Sequence, residues 1–314
     1  VIEESRRHGA GPRARRSPSR RTLLRTAAAG TVAIAAAGTW LLWDNRRIVR
    51  TGYEVRSPRL PAAFDGFRIV QVSDLHSASF GAHNERLLDA VRGERPDLVA
   101  ITGDIVDRTD RDPSTALDLA AALAQLAPTA YVTGNHEAGT PLLAELVAGL
   151  ADRAVAVMRG ASRALERAGE RIRLIGIEDP RFPDPQETPG APAGEAERTR
   201  GRLEDALARD PEGGEPWQAD PFTVLLAHRP EQLAVYAEEG IDLALAGHAH
   251  GGQVRIPGIG GVLAPDQGLW PALTAGVARR GRTSLVISRG LGNSGAPVRV
   301  NDPPEIVTLT LRTA

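Results

Sequence analysis

Cysteine is absent from this chain, which removes disulfides and thiolate chemistry from its fold and its reactions. Lysine is absent as well. All 38 basic side chains are arginine, which, beside the abundance of Ala, Gly and Pro, reads as a coding bias rather than a device. No segment repeats another. The larger part of the chain also lacks any basic excess: residues 1–50 hold eleven Arg against Glu3, Glu4 and Asp44, a balance of +8, so an overall charge of −1 leaves −9 on the remainder. An acidic body is a poor match for a phosphate backbone, and no nucleic-acid partner is expected.

What is present is an ordinary globular composition, with 42% apolar and 25% charged residues in 314. Beyond the N-terminal fifty, the length suits one large α/β domain with a substantial core. The division expected is therefore residues 1–50 as basic tail, apolar segment and linker, and residues 51–314 as a single domain.

Five clusters of metal-type residues follow one another along that domain: Asp74-Leu75-His76, Gly103-Asp104, Gly134-Asn135-His136-Glu137, His228, and Gly247-His248-Ala249-His250. Each stands at or just past the end of an apolar run that reads as a strand, including 67–72, 98–102, 130–133, 222–227 and 243–246. Residues at successive strand ends share one edge of a sheet, so these clusters are expected to form one site. Imidazole nitrogen, carboxylate and amide oxygen suit zinc, manganese or iron, and there are more donors than one ion needs. The Gly103-Asp104, Gly134-Asn135 and Gly247-His248 pairs let the chain turn sharply beside a bound ion.

The same residues carry a family resemblance. D-x-H, G-D, G-N-H-[DE], a lone His and G-H-x-H, in this order over roughly residues 67–252, resemble the calcineurin-like metallophosphoesterases. Gly247–Gln253, the run 288–295 and the run 301–306 are similar to a branch of exported or membrane-anchored bacterial members. The resemblance implies a four-layer α/β/β/α sandwich and a phosphoesterase using two divalent ions. It implies Asp74, His76 and His250 at one ion and Asn135, His228 and His248 at the other. Asp104, at a central strand end, is the candidate bridge. It also implies His136 as the acid that protonates the leaving oxygen or steadies phosphoryl charge. Arg289 and Asn293 are expected in a loop beside the substrate. Ala249 departs from the Thr that many branch members carry, at a position that supplies no ligand. Asp107 and Glu137 are read either as partners of a ligand imidazole or as solvated carboxylates, and His83 as a surface residue.

Phosphoester hydrolysis needs an attacking hydroxide at neutral pH and a counter-charge for the phosphoryl oxygens, and two ions about 3.5–4 Å apart supply both. The expected substrate is a phosphodiester or pyrophosphate, with a lipid or nucleotide-linked lipid as one class. The alternatives are a phosphomonoesterase, a cyclic-nucleotide phosphodiesterase, or a non-catalytic metal-stabilised binding protein on the same fold.

Ser19-Arg20-Arg21-Thr22-Leu23-Leu24-Arg25 followed by the uncharged stretch 27–43 reads as a twin-arginine export signal. Ala35-Ala36-Ala37 offers a cleavage site, and the stretch alternatively spans a bilayer of ~30 Å as a retained anchor. Both outcomes place the domain outside the cytoplasm, on the outer face of the membrane or in the cell wall. Residues 179–221, crowded with Pro, Gly and charge around one helix, read as a lid or a disordered insertion.

Overall fold

The computed structural model describes residues 19–183, 194–211, 214–217, 219–295 and 298–314. The basic tail before Ser19 and part of the 179–221 segment lie outside the described residues. The chain divides into a unit ending at Leu42 and a compact body from Trp43 to Ala314. Helix α1 (Arg20–Asp44) carries a 21-residue apolar stretch, Leu24–Asp44, long and apolar enough to cross a membrane by length and composition.

The body is built on two six-stranded sheets. In chain order the first contributes β1 (Val49–Ser57), β2 (Arg68–Val72), β3 (Leu98–Thr102), β4 (Thr129–Val132) and β5 (Val155–Val157). Then come β6 (Ala161–Arg167), β7 (Glu170–Gly176), β8 (Thr223–Leu226), β9 (Leu243–Ala246), β10 (Gly276–Arg280) and β11 (Thr283–Ile287) of the second sheet. Last is β12 (Glu305–Thr313), which returns to the first. The spatial orders are β1-β12-β2-β3-β4-β5 and β10-β11-β9-β8-β7-β6. β1 starts at Val49, inside the segment read as linker, and pairs in parallel with β12 along its whole length.

β2 to β5 are mutually parallel, and so are β7, β8, β9 and β11. Their sequences explain this. Leu98-Val99-Ala100-Ile101-Thr102 is buried at every position, as a strand covered on both faces must be. Alternate residues then serve different layers. Ile69 and Ala100 face Leu174, Val224 and Leu245 between the sheets. Val70, Val99 and Ile101 face outward onto Leu87 and Val91 of α2 (Glu85–Glu94), Leu119 and Leu123 of α3 (Ser114–Ala124), and Leu146 and Leu150 of α4 (Leu143–Ala151). Leu225 and Ala244 face Leu203 of α5 (Glu195–Ala208) and Tyr236 of α6 (Leu233–Glu238). Three apolar layers between four structural ones make the α/β/β/α sandwich.

Helix α5 is the one helix expected within residues 179–221. Thr199, Leu203 and Ala206, at helical spacing, bury one face of it against the second sheet. The charge that made the segment look solvated is its outer face.

Candidate metal centre

The loops after β2, β3, β4, β8 and β9 leave the carboxyl ends of parallel strands and converge on one buried cluster, where ligand sites of such sheets lie. Asp74, His76 and His250 offer ligand atoms within 4.8 Å of one another, and so do Asp104, His228 and His248. Asp104 lies between the two groups: its Oδ2 is 3.2 Å from His228 Nε2 and 3.7 Å from His76 Nε2. His76 Nε2 and His250 Nε2 face each other at 3.1 Å, and Asp74 Oδ1 is 3.6 Å from His250 Nε2. Asn135 is buried in the loop after β4, and its Oδ1 has no hydrogen-bond partner.

The backbone is bent to achieve this. Asp74, His76, Asp104, His248 and His250 all have φ between +45° and +65°, a region that residues with a Cβ seldom occupy. The glycines beside them leave the room that the cluster fills. A Cβ on Gly134 would overlap the Asp104 carboxylate, and one on Gly247 would overlap Asp74 and Ser73.

These donors fit divalent cations. His228 Nδ1 lies 2.8 Å from the Thr102 carbonyl oxygen, to which it donates, so in the neutral ring the lone pair is on the other nitrogen. That nitrogen, Nε2, is buried, faces the Asp104 carboxylate, and has no hydrogen-bond partner. Burial by itself lowers the His228 pKa, but Asp104 outweighs it and brings the ring up to about 10. In return, against its own burial, Asp104 is held well below the ordinary carboxylate range by His228. Asp104 thus holds a proton on His228 that a divalent cation bound there would displace, and with no sulfur in the set the donors suit Zn, Mn or Fe.

Around the cluster stand residues that fix its parts. His248 N–H donates to both oxygens of Asp74, at 3.0 and 3.1 Å, and Ser73 Oγ donates to Asp74 Oδ2. Asp266 Oδ2 lies 3.0 Å from His248 Nε2, a carboxylate on a ligand imidazole of the kind such rings usually have. Asp266 is ion-paired with Arg229, which is buried and bound in turn to Asp179 at 2.7 Å. Buried Arg299 reaches His250 Nδ1 at 3.2 Å and donates to the Gly292 carbonyl. Asp266, Arg229 and Arg299 had no sequence signal. Arg229 merely follows His228, and the other two sit in runs of Gly and Pro.

His136 lies at the edge of the cluster, grouped with His76 and Asp107. Its Nδ1 is 3.1 Å from Asp107 Oδ2, and its Nε2 is 3.1 Å from Ser294 Oγ and 3.0 Å from Arg108 Nη2. Burial lowers its pKa. Asp107 thus takes the imidazole-orienting place, while Glu137 does not. Wholly buried, Glu137 accepts from the backbone N–H groups of Gly134 at 2.6 Å, Ile105 at 2.8 Å and Asp104 at 2.9 Å, clamping two ligand loops together. Burial and the neighbouring Asp104 push its carboxyl up to about 8. Glu137→Ala would orphan three buried donors at ~1–3 kcal/mol each, so a stability loss of at least ~3 kcal/mol is expected in urea unfolding. A loss below ~1 kcal/mol would mean the clamp is dispensable.

The loop after β11 carries Arg289 and Asn293. Arg289 turns to Glu305 at 2.8 Å, and Asn293 Oδ1 accepts from Arg299 Nε. From this loop it is Ser294 and Arg299 that touch cluster histidines. His83 is exposed, with φ +50°, in the turn before α2.

Residues 67–252 match the family described as calcineurin-like phosphoesterase. The uncharacterized metallophosphoesterase YkuE of Bacillus subtilis is 28% identical over 270 residues, spanning 84% of this chain and 86% of that protein. Phosphodiesterase YaeI of Escherichia coli is 27% identical over 251 residues, spanning 78% and 82%. The transmembrane protein with metallophosphoesterase domain of Bos taurus is 28% identical over 307 residues, spanning 94% of this chain and 64% of that protein.

Proposed function

The chain belongs to the calcineurin-like phosphoesterases and is a metallophosphoesterase; from that premise we propose that it hydrolyses a phosphodiester or pyrophosphate, with two divalent ions, outside the cytoplasm. The observation that carries the two-ion reading is the position of Asp104, whose Oδ2 faces a histidine nitrogen of each ligand group. In this reading Asp74, His76 and His250 hold one ion, Asn135, His228 and His248 the other, and Asp104 both. When bound, the ions supply a nucleophile at neutral pH and a counter-charge for the phosphoryl oxygens.

The protein's own groups do the rest. Asp107 Oδ2, 3.1 Å from Nδ1 of His136, and the Arg108 backbone N–H, which donates to that nitrogen at 3.2 Å, orient the ring. Ser294 and Arg108 sit at Nε2, and the exposed Arg108 guanidinium is placed to meet a phosphoryl charge. Asp266 and Arg229 hold the ring of His248, and Glu137 fixes the Asp104 loop. The phosphodiesterase named among the relatives favours a diester over a monoester.

The paired Arg20-Arg21 ahead of the membrane-length helix supports export by the twin-arginine route, with residues 1–50 as targeting segment and 51–314 as the enzyme domain. Purified full-length chain, freed of metal and then reloaded with Mn²⁺ or Zn²⁺, is expected to bind two equivalents and to hydrolyse an aryl phosphodiester only when loaded. A panel of monoesters, diesters, cyclic nucleotides and nucleotide-linked lipids then fixes the substrate class. Saturation at one equivalent would end the two-ion reading, and recovery of the protein solely from cytosol would end the export reading.

A further inference from the structure

The body exposes few large apolar side chains, and they are not scattered. Among the described residues from Trp43 onward they are Trp43, Val254, Ile256, Ile259, Leu263, Leu269, Trp270, Val277, Val298 and Val300. Eight of these ten fall in residues 254–270 and 298–300. Singly exposed apolar residues need no explanation, but a contiguous patch on a soluble face does.

Backbone hydrogen bonds set the segments that carry them side by side. Arg255-Ile256 pairs with Gly260-Gly261, and Leu263-Ala264 pairs with Gly268-Leu269, two short antiparallel ladders. Val262 N–H donates to the Val254 carbonyl and Trp270 N–H to the Val262 carbonyl, which stitches the ladders side by side. Val254 bridges to Val300 on the other edge. Leu263 and Leu269 are direct cross-strand partners, 50% and 70% exposed, and Ile259, 68% exposed, is at a hairpin tip. The result is a thin sheet edged with apolar side chains, with Trp270 following its last strand.

Three features select its occupant. The layer is free of unpaired negative charge: Asp266 is the sole acid in residues 253–300, and it is bound to Arg229 and His248. Exposed Trp, Leu and Ile beside arginine form the side-chain set that settles at a headgroup boundary. The layer is also joined to the residue that follows the membrane-length helix. Asn45 Nδ2 donates to the Arg299 carbonyl at 2.7 Å and its Oδ1 accepts the Arg299 N–H at 2.8 Å, so the strand carrying Val298 and Val300 is tied to the chain one residue beyond Asp44.

We infer that the layer formed by residues 253–270 and 298–300 is an interfacial docking surface that seats the catalytic body on a phospholipid bilayer. The surface adjoins the metal cluster. Asp266, between Leu263 and Leu269, touches His248, and Arg255 Nη1 donates to the carbonyl of Gly251, next to His250. A body seated this way meets phosphoesters held in the bilayer, so the inference rests on the proposed hydrolytic site for its consequence but not for the docking itself.

The lack of native cysteine makes the test direct, since a single introduced thiol is uniquely labelled. Full-length Ile259→Cys, Leu269→Cys and, as a control, Asp89→Cys would carry a nitroxide and be reconstituted into phosphatidylcholine–phosphatidylglycerol vesicles. Labels at 259 and 269 are expected to be accessible to oxygen and shielded from a water-soluble nickel chelate, while the label at 89 shows the reverse. Chelate access at 259 and 269 equal to that at 89 overturns the proposal. Strong dipolar coupling between labels at 269 on two chains, in vesicles and in detergent alike, also overturns it by making the layer a contact between copies.

A functional arm separates docking from chemistry. Leu269→Asp/Trp270→Asp is expected to keep turnover of a soluble aryl diester within about twofold and to lose at least about tenfold on a vesicle-borne phospholipid diester. Equal rates of the variant and the native chain on both substrates would overturn the role of the layer. Labels that show docking in a protein inactive on every ester would sink the hydrolytic reading alone.

Discussion

Asp104→Asn is expected to leave a folded protein that binds fewer than two metal ions and turns over at least about 10³-fold more slowly, a loss of ~4 kcal/mol in transition-state stabilisation. Asparagine is nearly isosteric here, and its carbonyl keeps the bond that Asp104 Oδ1 accepts from His136 N–H at 2.8 Å. The Gly134 backbone, too close for a Cβ, stays undisturbed. What changes is Oδ2. In its place an amide turns hydrogens toward His228 Nε2 and His76 Nε2, the two lone pairs that a carboxylate and a cation would otherwise share. One substitution thereby removes an anionic donor that faces both ligand groups. Circular dichroism and elemental analysis alongside the rate separate this from unfolding. Two retained equivalents with activity within tenfold of the native chain would remove Asp104 from the bridging position.

The parts of this architecture that could be read from sequence are those where one physical requirement dominates. β3 and β9 are short runs, apolar but for Thr102, that stop at a Gly, because a strand buried on both faces admits a polar side chain only where it is bonded; β2 departs with Arg68 at its start and with Gln71, whose amide donates to Thr102 Oγ1 and the Ala246 carbonyl. The seven candidate donors stand out for the same reason, and the structure brings six of them into two tight groups with Asn135 buried. Elements whose reason to exist lies elsewhere in the fold were not legible. Helix α4 and strand β5 follow the Gly134 loop without a start signal of their own, and their burial comes from α3 and β4. The apolar layer of 253–270 reads as a loop because its Gly and Pro serve turns two residues apart. Arg299 and Asp266 reach cluster histidines 49 and 18 residues away in sequence, which no local pattern encodes. Glu137 shows the opposite trap. Its place beside His136 suggested an imidazole partner, yet the turn of the chain points it at backbone amides.

His136→Ala is the second substitution with a large expected effect, and its signature differs from that of a ligand. A ligand nitrogen should face the other donors, as His228 Nε2 faces Asp104 and His76 Nε2 faces His250 Nε2. Both nitrogens of His136 are already engaged, Nδ1 by Asp107 and Nε2 by Ser294 and Arg108. The ring meets His76 edge-on with centroids 4.5 Å apart, so it borders the cluster without entering either ligand group. Removing it should therefore leave metal content unchanged. If its proton reaches the leaving oxygen, the damage depends on how much that oxygen needs it. Turnover of an alkyl diester should fall by about 10²–10⁴, the usual worth of a placed acid, and that of a nitrophenyl diester by less than about tenfold. Equal losses on both esters with both ions retained would move His136 from the leaving group to the phosphoryl oxygens, where Arg108 already stands. Loss of an ion would move it into the ligand set, and the division of labour drawn around Asp107 would fail with it.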